Sequence, residues 1–386
     1  VNDFVNGLGN PPRYGGDDIR GEHAAMNRFI RPIHMAVADR VTDNILALIA
    51  TLHVLFAATL IATLLSLSPA HAASDTACGG KDLVAEMQAS DPARYAGLQK
   101  EAAAIPNGKG TFWKIEKTGL APSYLLGTMH VTDPRVLAMP NGATAAYDTA
   151  KTVIVESDEV VDDKKAAAAM MMQPQLMMLT DGKSIKDFLE PAEEEKLAAG
   201  LKERGIPLAA VSKMKPWMIA SFVALPACEL SRKAAGASFL DKKLAEDAVK
   251  QGKTLKGLET MVEQLQAMDS LPLQFHLQAL IETLELGDVV TDVMATTTDL
   301  YLSQEIGMIM PLMKSVSEEK SESADDGYAD FEQRIVTDRN KVMATRAKPI
   351  LDQGAVFMAV GALHLPGNDG LIELLRKDGF TISAVN

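Results

Sequence analysis

Cysteine, histidine and aromatic residues are all scarce in this chain of 386 residues, and each scarcity removes a class of chemistry. Cys78 and Cys228 stand far apart with no Cys-x-x-Cys spacing, so neither a thiolate zinc cluster nor a dithiol redox motif is available. Two readings stay open for the pair: one disulfide tying an N-terminal arm to the domain in an oxidising compartment, or two buried thiols. No dense Lys/Arg run occurs, and a formal net charge of −13 leaves no basic face for phosphate. Nucleic acid is excluded as a partner on that ground, and an anionic lipid surface is disfavoured. A Gly-x-Ser-x-Gly elbow and a P-loop are both missing, so serine-esterase and nucleotide-hydrolase readings lack support.

Apolar residues, by contrast, make up 47% of the chain, including 20 methionines, which is enough for a substantial core. One apolar run, 45–67, is almost unbroken. It follows Arg28, Arg31 and Arg40 and precedes Ser68-Pro69-Ala70-His71-Ala72-Ala73. Basic n-region, apolar h-region and Ala-x-Ala site together describe a secretory signal. The sequence therefore predicts a signal peptide at 35–72, cleaved after Ala72, and a periplasmic or secreted protein. The run is longer than the roughly 7–15 residues usual for such a region and near the roughly 20 that span a bilayer. Retention as a membrane anchor is the alternative, and only then is the membrane a partner. Residues 1–34 read as a non-native or disordered extension, with translation expected to begin at Met26 or Met35.

Past Ala72, residues 73–110 read as an arm with a short helical stretch, and 111–386 as one domain. Strands are expected at 112–116, 124–127, 152–156, 254–259, 355–360 and 380–385. Between 161 and 335 the apolar period is helical. Pro191 suits a helix N1 position, and Glu193-Glu194-Glu195 after it suits the positive end of the dipole. Helices are further expected at about 143–151, 213–225, 239–251, 272–285, 288–314, through Arg339, and at 369–378. The fold class is α/β: a mixed sheet made by the N- and C-terminal parts of the mature chain, with a large helical insertion. Ser315 to Asp330 reads as an exposed acidic loop. Met170-Met171-Met172 with Met177-Met178 reads as core packing, an adaptable lid over a peptide groove being the alternative.

Only three histidines follow Ala72: His130, His276 and His364. His276 lies in a helical pattern and reads as a packed or surface residue. The other two share a local grammar. Gly127-Thr128-Met129-His130 follows one apolar strand, and Gly361-Ala362-Leu363-His364 follows another. Glycine would let the backbone turn sharply there, placing each imidazole at the C-terminal edge of the sheet, where ligands bind in open α/β sheets. Glu156 and Glu259 close two further strands. A hydrogen-bonded loop residue is the plain reading of any one of these. The pairing of two, with so few histidines to draw on, favours a site. Imidazoles with carboxylates and a vacant position are how catalytic metal sites are commonly made, and a second carboxylate can serve as general base.

The two Gly-x-x-His stretches, Gly257-Leu258-Glu259-Thr260 with Glu263-Gln264, and Arg339-Asn340 resemble the pattern of the TraB/GumN family, in its order, over roughly 111–386. That resemblance implies a fold related to erythromycin-esterase and haem-binding ChaN-like proteins, and kinship with Tiki-type metalloproteases. It implies His130, His364 and Glu156 as ligands of a divalent cation (Mn, Co or Zn). It makes Glu156 and Glu259 ligand or base, and it sets Arg339 and Asn340 against the substrate or its developing oxyanion. The expected function is a metal-dependent, peptidase-like hydrolase acting on a peptide or small molecule. The alternatives are a non-catalytic protein binding haem, a metal or a peptide, and a metal-free His/Glu esterase.

Overall fold

Short runs of β-branched, aromatic and aliphatic residues form the sheet of the unit that begins at Ala73: β1 (Phe112–Glu116), β2 (Ser123–Thr128), β3 (Thr152–Val155), β4 (Thr254–Gly257), β5 (Val356–Gly361) and β6 (Thr381–Ala384). The computed structural model describes residues 78–318 and 329–385. The chain divides after Ala72 into two units, and the expected extension 1–34 and signal segment 35–72 lie outside the described residues.

The strands make one mixed sheet in the order β4-β3-β5-β2-β1-β6. β4, β3, β5 and β2 are parallel, while β1 runs antiparallel to both β2 and β6. Side chains alternate between two covered faces. Leu125, Ile154, Met358 and Val360 point into one cluster, and Leu126, Val153, Val155 and Phe357 into the other. Burial on both faces is why β3 and β5 read as continuous apolar runs rather than alternating ones.

Helices cover both faces. The arm is more ordered than its sequence suggests, folding as α1 (Leu83–Ser90) and α2 (Pro92–Ala104). Asp82 caps α1 by accepting from the Val84 and Ala85 amides, and Pro92 opens α2. α3 (Ala143–Thr149) packs on the sheet, and α4 (Asp163–Met172) follows β3. A helical cluster is then built from α5 (Pro191–Glu203), α6 (Pro216–Val223) and, after the intervening helices, α10 (Leu273–Glu285), around Leu197, Leu201, Ile219, Leu280 and Leu284. In chain order those intervening helices are α7 (Ala227–Ala234), α8 (Leu240–Lys250) and α9 (Met261–Asp269). α11 (Val289–Leu302) and α12 (Ile309–Glu318) join the arm, and α13 (Asp338–Leu351) and α14 (Leu371–Lys377) close the other face of the sheet. Among the described residues no helix is long and apolar enough to cross a membrane.

Some expectations fail for physical reasons. The helix expected over 288–314 is two, because Gln304 adopts a left-handed backbone and the arm docks at the break. There the Gly307 amide donates to the Gly108 carbonyl at 2.7 Å and the Gly110 amide to that of Gln304 at 2.9 Å. Ser315 belongs to α12 rather than to a loop, and Arg94 holds it by donating to its hydroxyl at 2.9 Å and its carbonyl at 2.7 Å. Residues 319–328 of that expected loop lie outside the described ones. Met171 and Met172 are each 82% exposed, so they are not core. His276 is buried, its Nε2 at 2.9 Å from the Met268 carbonyl. Cys78 and Cys228 form a disulfide, closing 150 residues and tying the arm to α7.

Candidate active site

Four parallel strands bring their C-terminal ends to one edge of the sheet, and the candidate residues leave from those ends. Glu156 directly follows β3 and Glu259 follows β4 by two residues. His130 lies two beyond β2, and His364 sits in the helical turn Ala362–His364 after β5. β2 and β5 are neighbours, with Thr128 opposite Gly361, so the two Gly-x-x-His motifs lie side by side. His130, His364, Glu156 and Arg339 border one cavity of about 310 Å³.

The glycines are there for a different reason than the one expected. Neither Gly127 nor Gly361 adopts a positive φ. What they supply is space: a Cβ on Gly127 would lie 3.0 Å from Ala362 Cα, and one on Gly361 would lie 3.1 Å from Glu156 Oε1. The Gly361 amide donates to that same oxygen at 2.7 Å, which a larger residue would push away.

A charged frame surrounds Glu156. Arg339 Nη2 donates to Glu156 Oε2 at 2.8 Å and to Glu259 Oε2 at 2.7 Å, while its Nε reaches both Glu259 oxygens at 3.1 Å. Gln264 adds a bond to Glu156 Oε2 at 3.0 Å. Burial alone would favour the neutral acid, but the two histidines, Arg339 and the Gly361 amide hold the Glu156 carboxyl well below the usual carboxylate range. Glu259 does not border the cavity; its carboxylate faces Arg339. Asn340 is buried in α13. Its Nδ2 donates to the Asp369 carbonyl at 2.9 Å, and its Oδ1 lies 2.7 Å from His364 Nδ1. Nδ1 of His364 must therefore carry the proton, leaving the Nε2 lone pair free.

The two imidazoles differ. His364 is buried, and desolvation with the neighbouring positive groups lowers its pKa to about 4, so it is neutral at pH 7. His130 is 54% exposed. Loss of solvent opposes its charge, but the Asp241 carboxylate outweighs that and raises it to about 9. Water screens part of this attraction at so open a ring.

Asp241 is the residue that sequence reasoning missed. It sits buried in the first turn of α8, where an acid reads simply as a partner of the helix dipole. Its Oδ1 accepts from Thr128 Oγ1 at 2.7 Å and lies 3.6 Å from His130 Nε2, while its Oδ2 has no hydrogen-bond partner among the described residues. Glu229 was missed as well. It accepts from the Thr132 amide and hydroxyl, both at 2.8 Å, and so holds the segment carrying His130 against α7, next to the disulfide. Neither acid has a motif that marks it in a single sequence.

Chemically, the donors suit a divalent cation in part. His364 Nε2 and Glu156 Oε1 face each other at 3.7 Å, and with Nδ1 protonated both are acceptors. Ligands sharing an ion bound at about 2.0–2.2 Å lie roughly 3–4.5 Å apart. Two facing acceptors at that spacing, and the orphaned Asp241 oxygen behind His130, fit a positive group. Among the described residues, no three His, Cys, Asp or Glu side chains form a ready-made metal-binding group.

A model of the TraB/PrgY/gumN family matches residues 111–384. Among curated proteins, the chain is 24% identical over 316 residues to Metalloprotease TIKI2 of Danio rerio, covering 70% of this chain and 60% of that protein. It is 24% identical over 314 residues to Metalloprotease TIKI1 of the same fish, covering 70% and 62%. The figures for Metalloprotease TIKI1 of Xenopus tropicalis are 24% over 317 residues, 70% and 60%. The chain spans about 60% of the length of these relatives. No solved structure matches it.

Proposed function

The chain belongs to the TraB/PrgY/gumN family, and from that premise we propose that it is a metal-dependent, peptidase-like hydrolase working outside the cytoplasm through its paired Gly-x-x-His motifs. One observation carries the reading: His130 and His364, 234 residues apart by their numbers, border the same cavity as Glu156 and Arg339. The metalloprotease relatives supply the reaction class. The apolar run 45–67 with Ala70-His71-Ala72, and the Cys78–Cys228 bridge, support export.

In this reading His130, His364 and Glu156 hold a divalent cation (Mn, Co or Zn), which supplies an acidified water and a polarised carbonyl when bound. The protein's own groups do the rest. Asn340 fixes the His364 tautomer so that Nε2 presents its lone pair. Arg339 keeps Glu156 ionised and sets a guanidinium at the cavity wall where negative charge develops on a substrate carbonyl. Glu259 anchors Arg339 and acts through it, as Asn340 acts through His364. Asp241 orients His130 and holds a proton on it, a proton that His130 would have to release to act as a ligand.

The experiment is metal analysis of the purified protein together with cleavage of a peptide library, with and without chelator, and with Mn, Co or Zn added back. Turnover abolished by chelator and restored by one metal is expected. His130→Ala and His364→Ala should remove it while the circular dichroism spectrum is unchanged. Chelator-resistant turnover would move the mechanism to a metal-free His/Glu pair. Absence of turnover, combined with a Soret shift at micromolar haem, would make the protein a binder instead.

A further inference from the structure

The cavity that holds the imidazoles has a second character. Beyond the polar group its walls come from Met129, Leu363, Ile309, Phe331, Ile335 and Val336. Two of these, Met129 and Leu363, directly precede the histidines, so each Gly-x-x-His motif delivers an imidazole and a large apolar side chain to the same space. The other hydroxyl groups on the wall are already engaged. Tyr301 donates to the Gly127 carbonyl at 2.8 Å, Thr297 to that of Val293 at 2.8 Å, and Thr128 to Asp241 at 2.7 Å. A charged or amide side chain entering here loses its water and finds every wall hydroxyl proton already donated elsewhere, whereas an apolar one gains burial.

We infer that this space is a specificity subsite for an apolar side chain, aliphatic or methionine-sized, on the residue whose carbonyl meets the His130, His364, Glu156 and Arg339 group. The occupant is fixed by two features of the wall: continuity with the polar group within one residue of each histidine, and hydroxyls committed to backbone or to Asp241. The inference rests on the hydrolase reading for the word carbonyl, but the selectivity itself is a property of the cavity. Phe331, Ile335 and Val336 come from the π-helical segment Glu332–Thr337 and the residue before it, which leads directly into Arg339 on α13. One continuous element thus sets both the guanidinium and the apolar wall.

The test is a binding series read by ligand-observed NMR on the full-length protein, with the N-acetyl amides of leucine, methionine, aspartate and lysine as probes. The leucine and methionine amides should bind at least about tenfold more tightly than the charged pair, the size of discrimination that pocket contacts commonly give. Ile335→Asp should invert the preference toward the lysine amide, and Phe331→Ala, which only enlarges the cavity, should move it toward the N-acetyl amide of phenylalanine. Equal binding of all four probes, or a preference for a charged one by the unmodified protein, overturns the proposal. A peptide panel varied at one position separates the two ideas. Turnover without apolar preference refutes the subsite and leaves the hydrolase reading standing. Selective binding by a protein that cleaves nothing under any metal refutes the hydrolase reading and supports the subsite.

Discussion

If Gly127 is glycine because another chain segment touches it, adding one methyl group there must cost stability even though its φ is unexceptional. A Cβ at Gly127 would meet Ala362 Cα at 3.0 Å, Leu365 Cδ2 at 3.0 Å and Ala362 Cβ at 3.1 Å. Two of those atoms belong to the turn that carries the second Gly-x-x-His motif, and a Cα cannot swing aside as a side-chain tip can. Overpacking of this kind costs about 1–3 kcal/mol. Gly97 is the matched control. It lies inside α2 with no atom within 4 Å of its notional Cβ. Gly97→Ala should therefore stabilise the protein by about 0.5–1 kcal/mol through helix propensity alone. The same substitution thus has opposite signs at two positions, readable as opposite shifts of the urea midpoint at constant m-value. Gly361→Ala falls between them: the Cβ meets a carboxylate oxygen at 3.1 Å, but that carboxylate is pinned by Arg339, Gln264 and the Gly361 amide. A small stability loss and a large loss of the proposed activity are expected there. A Gly127→Ala protein as stable as the parent, or more so, would refute the close-approach account of the motif glycines.

Other outcomes follow from the charged frame. Arg339→Met leaves Glu156 and Glu259 buried without their shared cation, and breaking a buried pair in this way costs about 3–5 kcal/mol. Adding Glu259→Gln to that background should restore part of the loss, and a single-variant cost below about 1 kcal/mol would show the clamp to be dispensable. With chelator present, stability should fall on both sides of neutrality. His364, lowered to about 4, binds a proton more readily unfolded than folded, so stability declines as pH drops from 6.5 toward 4. His276, also lowered by burial, adds to that acid limb. His130, raised to about 9, contributes stability that is complete below 6.5 and lost as pH rises through 9, at a size reduced by its exposure. Asp241→Asn should flatten the alkaline limb in urea titrations across pH 4–9; an unaltered limb would show that Asp241 does not set the His130 charge.

Parallel strands covered on both faces leave a strong trace in a sequence, because every residue must be apolar, and Val153-Ile154-Val155 and Val356 to Val360 carry it. Convergence of the motif residues at one edge was legible for the same reason: each follows a strand, and parallel strands end together. What left no trace was the network behind them. Asp241 and Glu229 look like ordinary helical acids, and only the packing of α8 and α7 against the β2 edge turns them toward His130 and Thr132. Within the methionine cluster Met170, Met177 and Met178 are half-buried, but Met171 and Met172 misled because an Ala-rich, Met-rich helix reads as core by composition alone. The purpose of the motif glycines was hidden because a sequence shows which residue is small but not what presses against it.

The shared grammar of the two motifs conceals an asymmetry that bears on any chemistry done there. Strand register offsets them by one residue, Thr128 standing opposite Gly361, so the turns nest rather than mirror each other. One imidazole, His364, is buried and the other, His130, is half open. His364 lies against Asn340 and Glu156 and is kept neutral; His130 lies against Asp241 and is kept charged. Environments that push two like groups to opposite sides of neutral pH are how a fold assigns them different work. In the proposed site the neutral His364 Nε2 facing Glu156 would be ready to take a cation, whereas His130, charged beside Asp241, would first have to give up its proton. Equivalence of the two histidines would require the same kind of partner behind each, whereas His364 has the Asn340 amide and His130 the Asp241 carboxylate. Asp241→Asn is therefore expected to alter His130 more than His364, and Asn340→Ala to do the converse. Paired imidazole NMR spectra of those two variants would separate the roles without any turnover being measured.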